Sequence, residues 1–114
     1  MSATQDPIPP GTLDMLILRT LARSGKMHGF EIAEAIEQLS EDTFRVEEGS
    51  LYPALQRMLI KGWVVAAWGR TRENRRARYY RLTRSGRAQL TREKASYQRV
   101  TFAIARILRP ATES

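Results

Sequence analysis

The residues of this chain that could do chemistry fall in short runs. Gln56 and Arg57 stand side by side within "EEGSLYPALQRML", Glu47 to Leu59. An amide suits a two-pronged contact with adenine and a guanidinium one with guanine, while the nearby Ser50 and Tyr52 hydroxyls suit phosphate oxygens. Arg70, Arg72, Arg75, Arg76, Arg78 and Arg81 are opposed within residues 70–81 only by Glu73, a density that repels itself unless an anion lies nearby. Catalytic signals are weak by comparison. Glu47 and Glu48 form a carboxylate pair with no base or third ligand beside it, which reads as negative charge at a helix start. His28 is the single histidine, placed where a helix should open, and reads as a cap or an exposed side chain. There is no Gly-rich phosphate loop or nucleophile motif. With no cysteine there is no thiolate chemistry or disulfide either. The expectation is a protein that is not an enzyme and takes no metal or cofactor.

Those arginines belong to a larger imbalance. The 114 residues carry a formal net charge of +7. Residues 1–57 hold five Lys and Arg against nine Asp and Glu, a balance of −4, whereas residues 58–114 hold fourteen against three, a balance of +11. Sixteen of the nineteen basic residues are arginine, the cation suited to forked contacts. A basic half on a small domain points to a polyanionic partner. An apolar content of 42% is enough for one small core. The start "MSATQDPIPPG" lacks the basic and apolar parts of a signal peptide, and no apolar stretch approaches the roughly twenty residues that a bilayer needs. The expectation is a cytoplasmic protein with no membrane partner.

The elements that must position these residues can be read from periodicity. Residues 1–10 read as a flexible segment. After Pro9 and Pro10, Gly11 or Thr12 can cap a helix to about Arg23, with Asp14 favourable in its first turn. That helix is apolar on two sides: Leu13, Leu16, Ile17 and Leu21 form one stripe, and Met15, Leu18 and Ala22 another, available to a second body. "SGKMHG" reads as a turn, and Phe30 to Leu39 as a second helix. With Ser50 as N-cap, the third helix has Pro53 in its first turn, where a missing N–H costs little. Leu51, Leu55, Met58 and Leu59 then face inward, turning Pro53, Gln56 and Arg57 outward. "WVVAAW" and "RARYYRL" read as two strands joined through a turn at Gly69 and Asn74. Alternation leaves open whether Tyr79 or Tyr80 is buried.

Thr83 should cap a long last helix reaching Leu108 and stopped by Pro110. Within it Leu90, Tyr97 and Ile104 recur every seven residues, with Val100 and Ile107 between, a coiled-coil-like seam that Glu93 interrupts. With the second stripe of the first helix, this predicts a homodimer. Three helices followed by a basic hairpin give a mainly α fold with a small β-hairpin (α+β), in the order of a winged helix-turn-helix. The division is residues 11–82 for the winged domain, 83–109 for a dimerisation helix and 110–114 for a tail. A basic RNA-binding protein and a winged domain making only protein contacts are the rival readings. The seam, with Gln56 and Arg57 outward, favours a dimer on a repeated DNA site.

"GTLDMLILRTL", "HGFEIAEAI", "GSLYPALQRMLIKGWV" and "RRARYYRLTRSGRAQL", in this order, resemble the PadR family of winged-helix transcriptional regulators, in its compact form with a single C-terminal helix. The resemblance runs from about Gly11 to Leu108. It implies a dimeric repressor with a DNA-reading third helix, an Arg-rich wing and a dimer made by the first and last helices, and two such third helices are expected to bind adjacent half-sites of an inverted repeat on double-stranded DNA. Its DNA surface would fall on Ser50, Tyr52, Pro53, Gln56 and Arg57, with Arg75, Arg76, Arg78 and Tyr80 in the wing. Release by a small hydrophobic effector is also implied. However, the last helix offers Tyr97 and Phe102 where some compact members use a tryptophan, since Trp63 and Trp68 both lie in the hairpin.

Overall fold

The computed structural model describes residues 5–111, with helices α1 (Leu13–Ser24), α2 (Gly29–Leu39), α3 (Glu48–Ile60) and α4 (Arg84–Leu108) and strands β1 (Lys26–His28), β2 (Val64–Arg70) and β3 (Arg76–Leu82). The core is built around α1, which packs against α2, α3, β3 and α4 together. Ile17, Leu18 and Leu21 are wholly buried there, beside Ile32 of α2 and Leu51, Ala54, Leu55 and Met58 of α3. Both apolar stripes of α1 are therefore used up within the chain. Leu18, expected at a dimer interface, is a core residue, and Met15 keeps only 9% of its surface. The reason is that α4 turns back over α1, so a helix with two apolar sides finds both partners in its own chain.

The residues read as a turn at "SGKMHG" form β1, which adds to the hairpin to give a three-stranded antiparallel sheet of order β1-β3-β2. His28 ends this strand and is the N-cap of α2, where its backbone N–H donates to the Glu31 carboxylate at 3.0 Å. The expected cap thus involves the main chain of His28. Between α2 and α3 the chain is held tightly. The Val46 N–H donates to the Glu37 carboxylate at 2.9 Å, the Phe44 N–H to the Ser40 hydroxyl at 3.1 Å, and Glu41 and Asp42 sit in left-handed conformations, φ 53° and 62°.

This connection delivers the chain into α3 three residues earlier than expected. The Ser50 and Leu51 N–H groups both donate to the Glu47 carbonyl, so Glu47, not Ser50, is the N-cap. Pro53 consequently lies in the second turn, where the amide it lacks would have met the Gly49 carbonyl. Gly49 is exposed, so water can serve that carbonyl.

The segment expected to be flexible is held where it is described. The Asp6 N–H donates to the Thr43 carbonyl at 2.7 Å, and Ile8 packs on the core. Residues 1–4, and residues 112–114 of the expected tail, lie outside the described residues.

Thr83 fastens α4 to the rest. Its hydroxyl accepts from the Gly86 N–H at 3.0 Å and donates towards the Gly62 and Trp63 carbonyls at 2.7 and 3.0 Å. Gly86 is buried so closely that a Cβ there would run into the Trp63 carbonyl oxygen. Leu90 is also buried, at 7%, and belongs to the core rather than to a free seam. From Lys94 to Leu108 every residue is exposed, including Tyr97, Val100, Phe102, Ile104 and Ile107. A helix of 25 residues is about 38 Å long, and its outer half stands clear of the domain.

Candidate nucleic-acid interface

Helical spacing sorts the exposed side of α3. Gly49, Pro53, Gln56 and Ile60 lie at i, i+4, i+7 and i+11 on one outward stripe, opposite Leu51, Leu55 and Met58. Tyr52 flanks that stripe on the α2 side. Its ring lies against Gly29, close enough that a Cβ on the glycine would come 2.7 Å from the hydroxyl, and the side chain stays 45% exposed. Ser50 and Arg57 flank the stripe on the α1 side. There the Arg57 Nη2 donates to the Asp14 carboxylate at 2.9 Å. Of the expected residues on this helix, Pro53 and Gln56 are therefore outward, while Tyr52, Ser50 and Arg57 stand at its shoulders.

The wing follows from the strand register. Val64↔Leu82, Ala66↔Tyr80, Trp68↔Arg78 and Arg70↔Arg76 are opposite pairs, and the period of two puts them all on one face. Near the base of the hairpin this face covers the core, so Val64, Leu82 and Tyr80 are buried. Past the edge of the core the same face is open and carries Trp68, Arg70, Arg76 and Arg78. Tyr80, expected on the DNA surface, is thus a core residue with 5% exposure. Burial pushes its phenol pKa up, more than the Arg78 guanidinium lowers it, and Tyr52 adds to the rise. The partly exposed tyrosine is Tyr79. It lies on the opposite face across Gly69, donates to the Arg70 carbonyl at 3.1 Å and has Lys26 over its ring. Gly69 therefore makes room for a ring and takes no part in the turn, which rests on Asn74 at φ 63°.

Trp68 is the residue that sequence reasoning missed in the wing. It is 59% exposed, and the Arg76 guanidinium carbon stands 4.2 Å from its ring centroid, with that of Arg78 at 5.9 Å. Such stacking holds a guanidinium plane in place while its N–H fork stays free. Counting register from the turn would have found the pair, since Trp68 and Arg78 lie directly opposite. Asp14 was also missed as a partner of Arg57. It is 43 positions away, and no local pattern announces the contact.

An open groove lies between the start of α2, Tyr52 and the wing, and its lining includes Phe30, Trp68, Arg70, Arg72 and Arg75. It combines aromatic faces with guanidinium groups and has Glu31, Glu34 and Glu73 at its edges. Among the described residues, no three His, Asp or Glu side chains gather to hold a metal ion, and no buried side-chain polar atom is left without a partner. No described helix is long and apolar enough to cross a membrane.

Three packed helices, a basic two-stranded wing and a projecting last helix define a winged helix-turn-helix regulator. The model of the transcriptional regulator PadR-like family matches residues 17–92, and the chain belongs to that family. A transcriptional regulator of Mycobacterium tuberculosis is 35% identical over 77 residues, 68% of each protein. A PadR family transcription regulator from Clostridium difficile is similar at 28% identity and a TM-score of 0.73, over 87% of this chain and 100% of the other. A transcriptional regulator from Clostridium thermocellum shares the fold at a TM-score of 0.79 and 24% identity, over 87% of this chain and 95% of its own. The chain is accordingly a transcriptional regulator and not an enzyme, and regulators of this family bind DNA.

Proposed function

We propose that this protein is a cytoplasmic, homodimeric repressor that binds an inverted-repeat operator on double-stranded DNA. The single observation that carries this reading is the open wing face, where Arg70, Arg76 and Arg78 line one groove together with Tyr52 at the shoulder of α3. In this reading Gln56 reaches a base edge in the major groove, Ile60, 79% exposed on the same stripe, meets a thymine methyl, and Ser50 and Tyr52 hold phosphates. Pro53 sits at the closest approach of the helix to the groove. Arg75, Arg76 and Arg78 follow the flanking backbone. The two-fold axis comes from the exposed outer half of α4, with Tyr97, Val100, Ile104 and Ile107 packed on their counterparts. A small hydrophobic effector that releases the DNA belongs to the same reading, and Tyr97 and Phe102 are the rings that α4 offers it.

A fluorescence anisotropy titration tests this, at about 0.15 M salt, with DNA from the protein's own promoter, a shuffled duplex and a duplex RNA. The expected result is a preference for the promoter of about a thousandfold, reduced by about 1 to 3 kcal/mol in Gln56→Ala. Equal binding to all three would leave only a basic nucleic-acid binder.

A further inference from the structure

Asp14–Arg57 is the one ion pair among the described residues that joins two helices. The Arg57 side chain is 55% exposed and that of Asp14 24%, at 2.9 Å. The pair lies beside a cleft where Thr12 and Met15 of the α1 start meet Glu93 and Tyr97 of α4. Arg57 is thereby drawn to the α1 shoulder of α3, away from the outward stripe that carries Gln56. To place its guanidinium on a phosphate or a base, Arg57 must leave Asp14 or carry that carboxylate towards the DNA, and both oppose binding. A half-exposed pair is weak enough for a polyanion to break, yet breaking it is not free.

We propose that Asp14 is a positioning residue that lowers DNA affinity by competing with DNA for the Arg57 side chain. This rests on the DNA-binding reading above. Asp14 also sits in the first turn of α1, where its charge favours the helix. That role is independent of Arg57, so a double-mutant cycle separates the two.

The cycle uses wild type, Asp14→Asn, Arg57→Gln and the double variant, titrated against a duplex enriched by the wild-type protein from a randomised library. Asp14→Asn should tighten binding about two- to fivefold, the size of an exposed ion pair. Arg57→Gln should weaken it, and adding Asp14→Asn to Arg57→Gln should change nothing. Thermal melts of all four proteins record the loss of first-turn charge, which is common to both backgrounds. Equal tightening with and without Arg57 would overturn the proposal, because Asp14 would then only repel DNA. Weaker binding by Asp14→Asn would overturn it too, because Asp14 would then hold Arg57 in its binding geometry. If the wild type enriches no sequence at all, it is the DNA-reading function that fails, a result distinct from either of these.

Discussion

Replacing Arg76 and Arg78 together by alanine should flatten the salt dependence of DNA binding by a calculable amount. Both side chains are exposed on the open part of the wing face, so their loss leaves the core intact. Each phosphate neutralised adds about −0.9 to the slope of log affinity against log salt, so a fourfold rise from about 0.05 to 0.2 M costs about 3.5-fold per contact and about 12-fold for two. The double variant should therefore lose about 12-fold less affinity than wild type over that interval. Trp68→Ala makes a contrasting perturbation. It removes the ring that lies 4.2 Å from Arg76 but leaves both charges. A cation–π contact of about 0.5 to 1 kcal/mol corresponds to about two- to fivefold weaker binding at every salt concentration, with the slope unchanged. Anisotropy titrations at four or five salt concentrations read both quantities. An unchanged slope in the double arginine variant would refute phosphate contact by the wing, and a flattened slope in Trp68→Ala would refute a role confined to holding the guanidinium.

Glutamate at both Ile104 and Ile107 should convert a dimer to a monomer by sedimentation equilibrium while leaving the winged body folded, since both side chains are exposed in the single chain. A dimer that survives would move the interface elsewhere. Gly86→Ala should destabilise by about 1 to 3 kcal/mol, because the new Cβ meets the Trp63 carbonyl and must displace the start of α4. An unchanged calorimetric Tm would mean that this junction yields easily. Folding favours the protonated Tyr80 phenol, so its contribution is present below the ordinary value of 10.0 and is lost as pH rises through its higher folded pKa. Urea unfolding should accordingly show a smaller alkaline loss of stability in Tyr80→Phe than in wild type, and identical losses would show that Tyr80 is not the group responsible.

The helices and hairpin were legible because their apolar spacing is strong, and the basic wing was legible from composition alone. What escaped the sequence depended on contacts distant along the chain. The start of α3 was misplaced because a serine is a good cap, but the hydrogen bond from Val46 to Glu37 fixes where the chain arrives. The residues at β1 were too few for a strand on their own, and pair only because the Met27↔Tyr80 register brings them to an existing edge. Arg76, Arg78 and Tyr80 do share a face, as their spacing implies, but the face changes from core to solvent halfway along the strand. Alternation reports which residues point together; only packing reports what they point at. Leu18 and Leu90 failed as interface residues for a related reason, since a helix with two apolar sides does not say whose surface covers each.

All of the last fifteen residues of α4 are exposed, and only Ser96 and Tyr97 among them line the cleft beside the start of α1. A helix segment of that length is marginal by itself in water, so its order depends on company. If that company is a second copy, folding of the segment and pairing are one equilibrium, and the population able to occupy an operator rises more steeply than in proportion to the amount of protein. A modest change in synthesis or degradation would then act as a threshold on transcription, before any small molecule is involved.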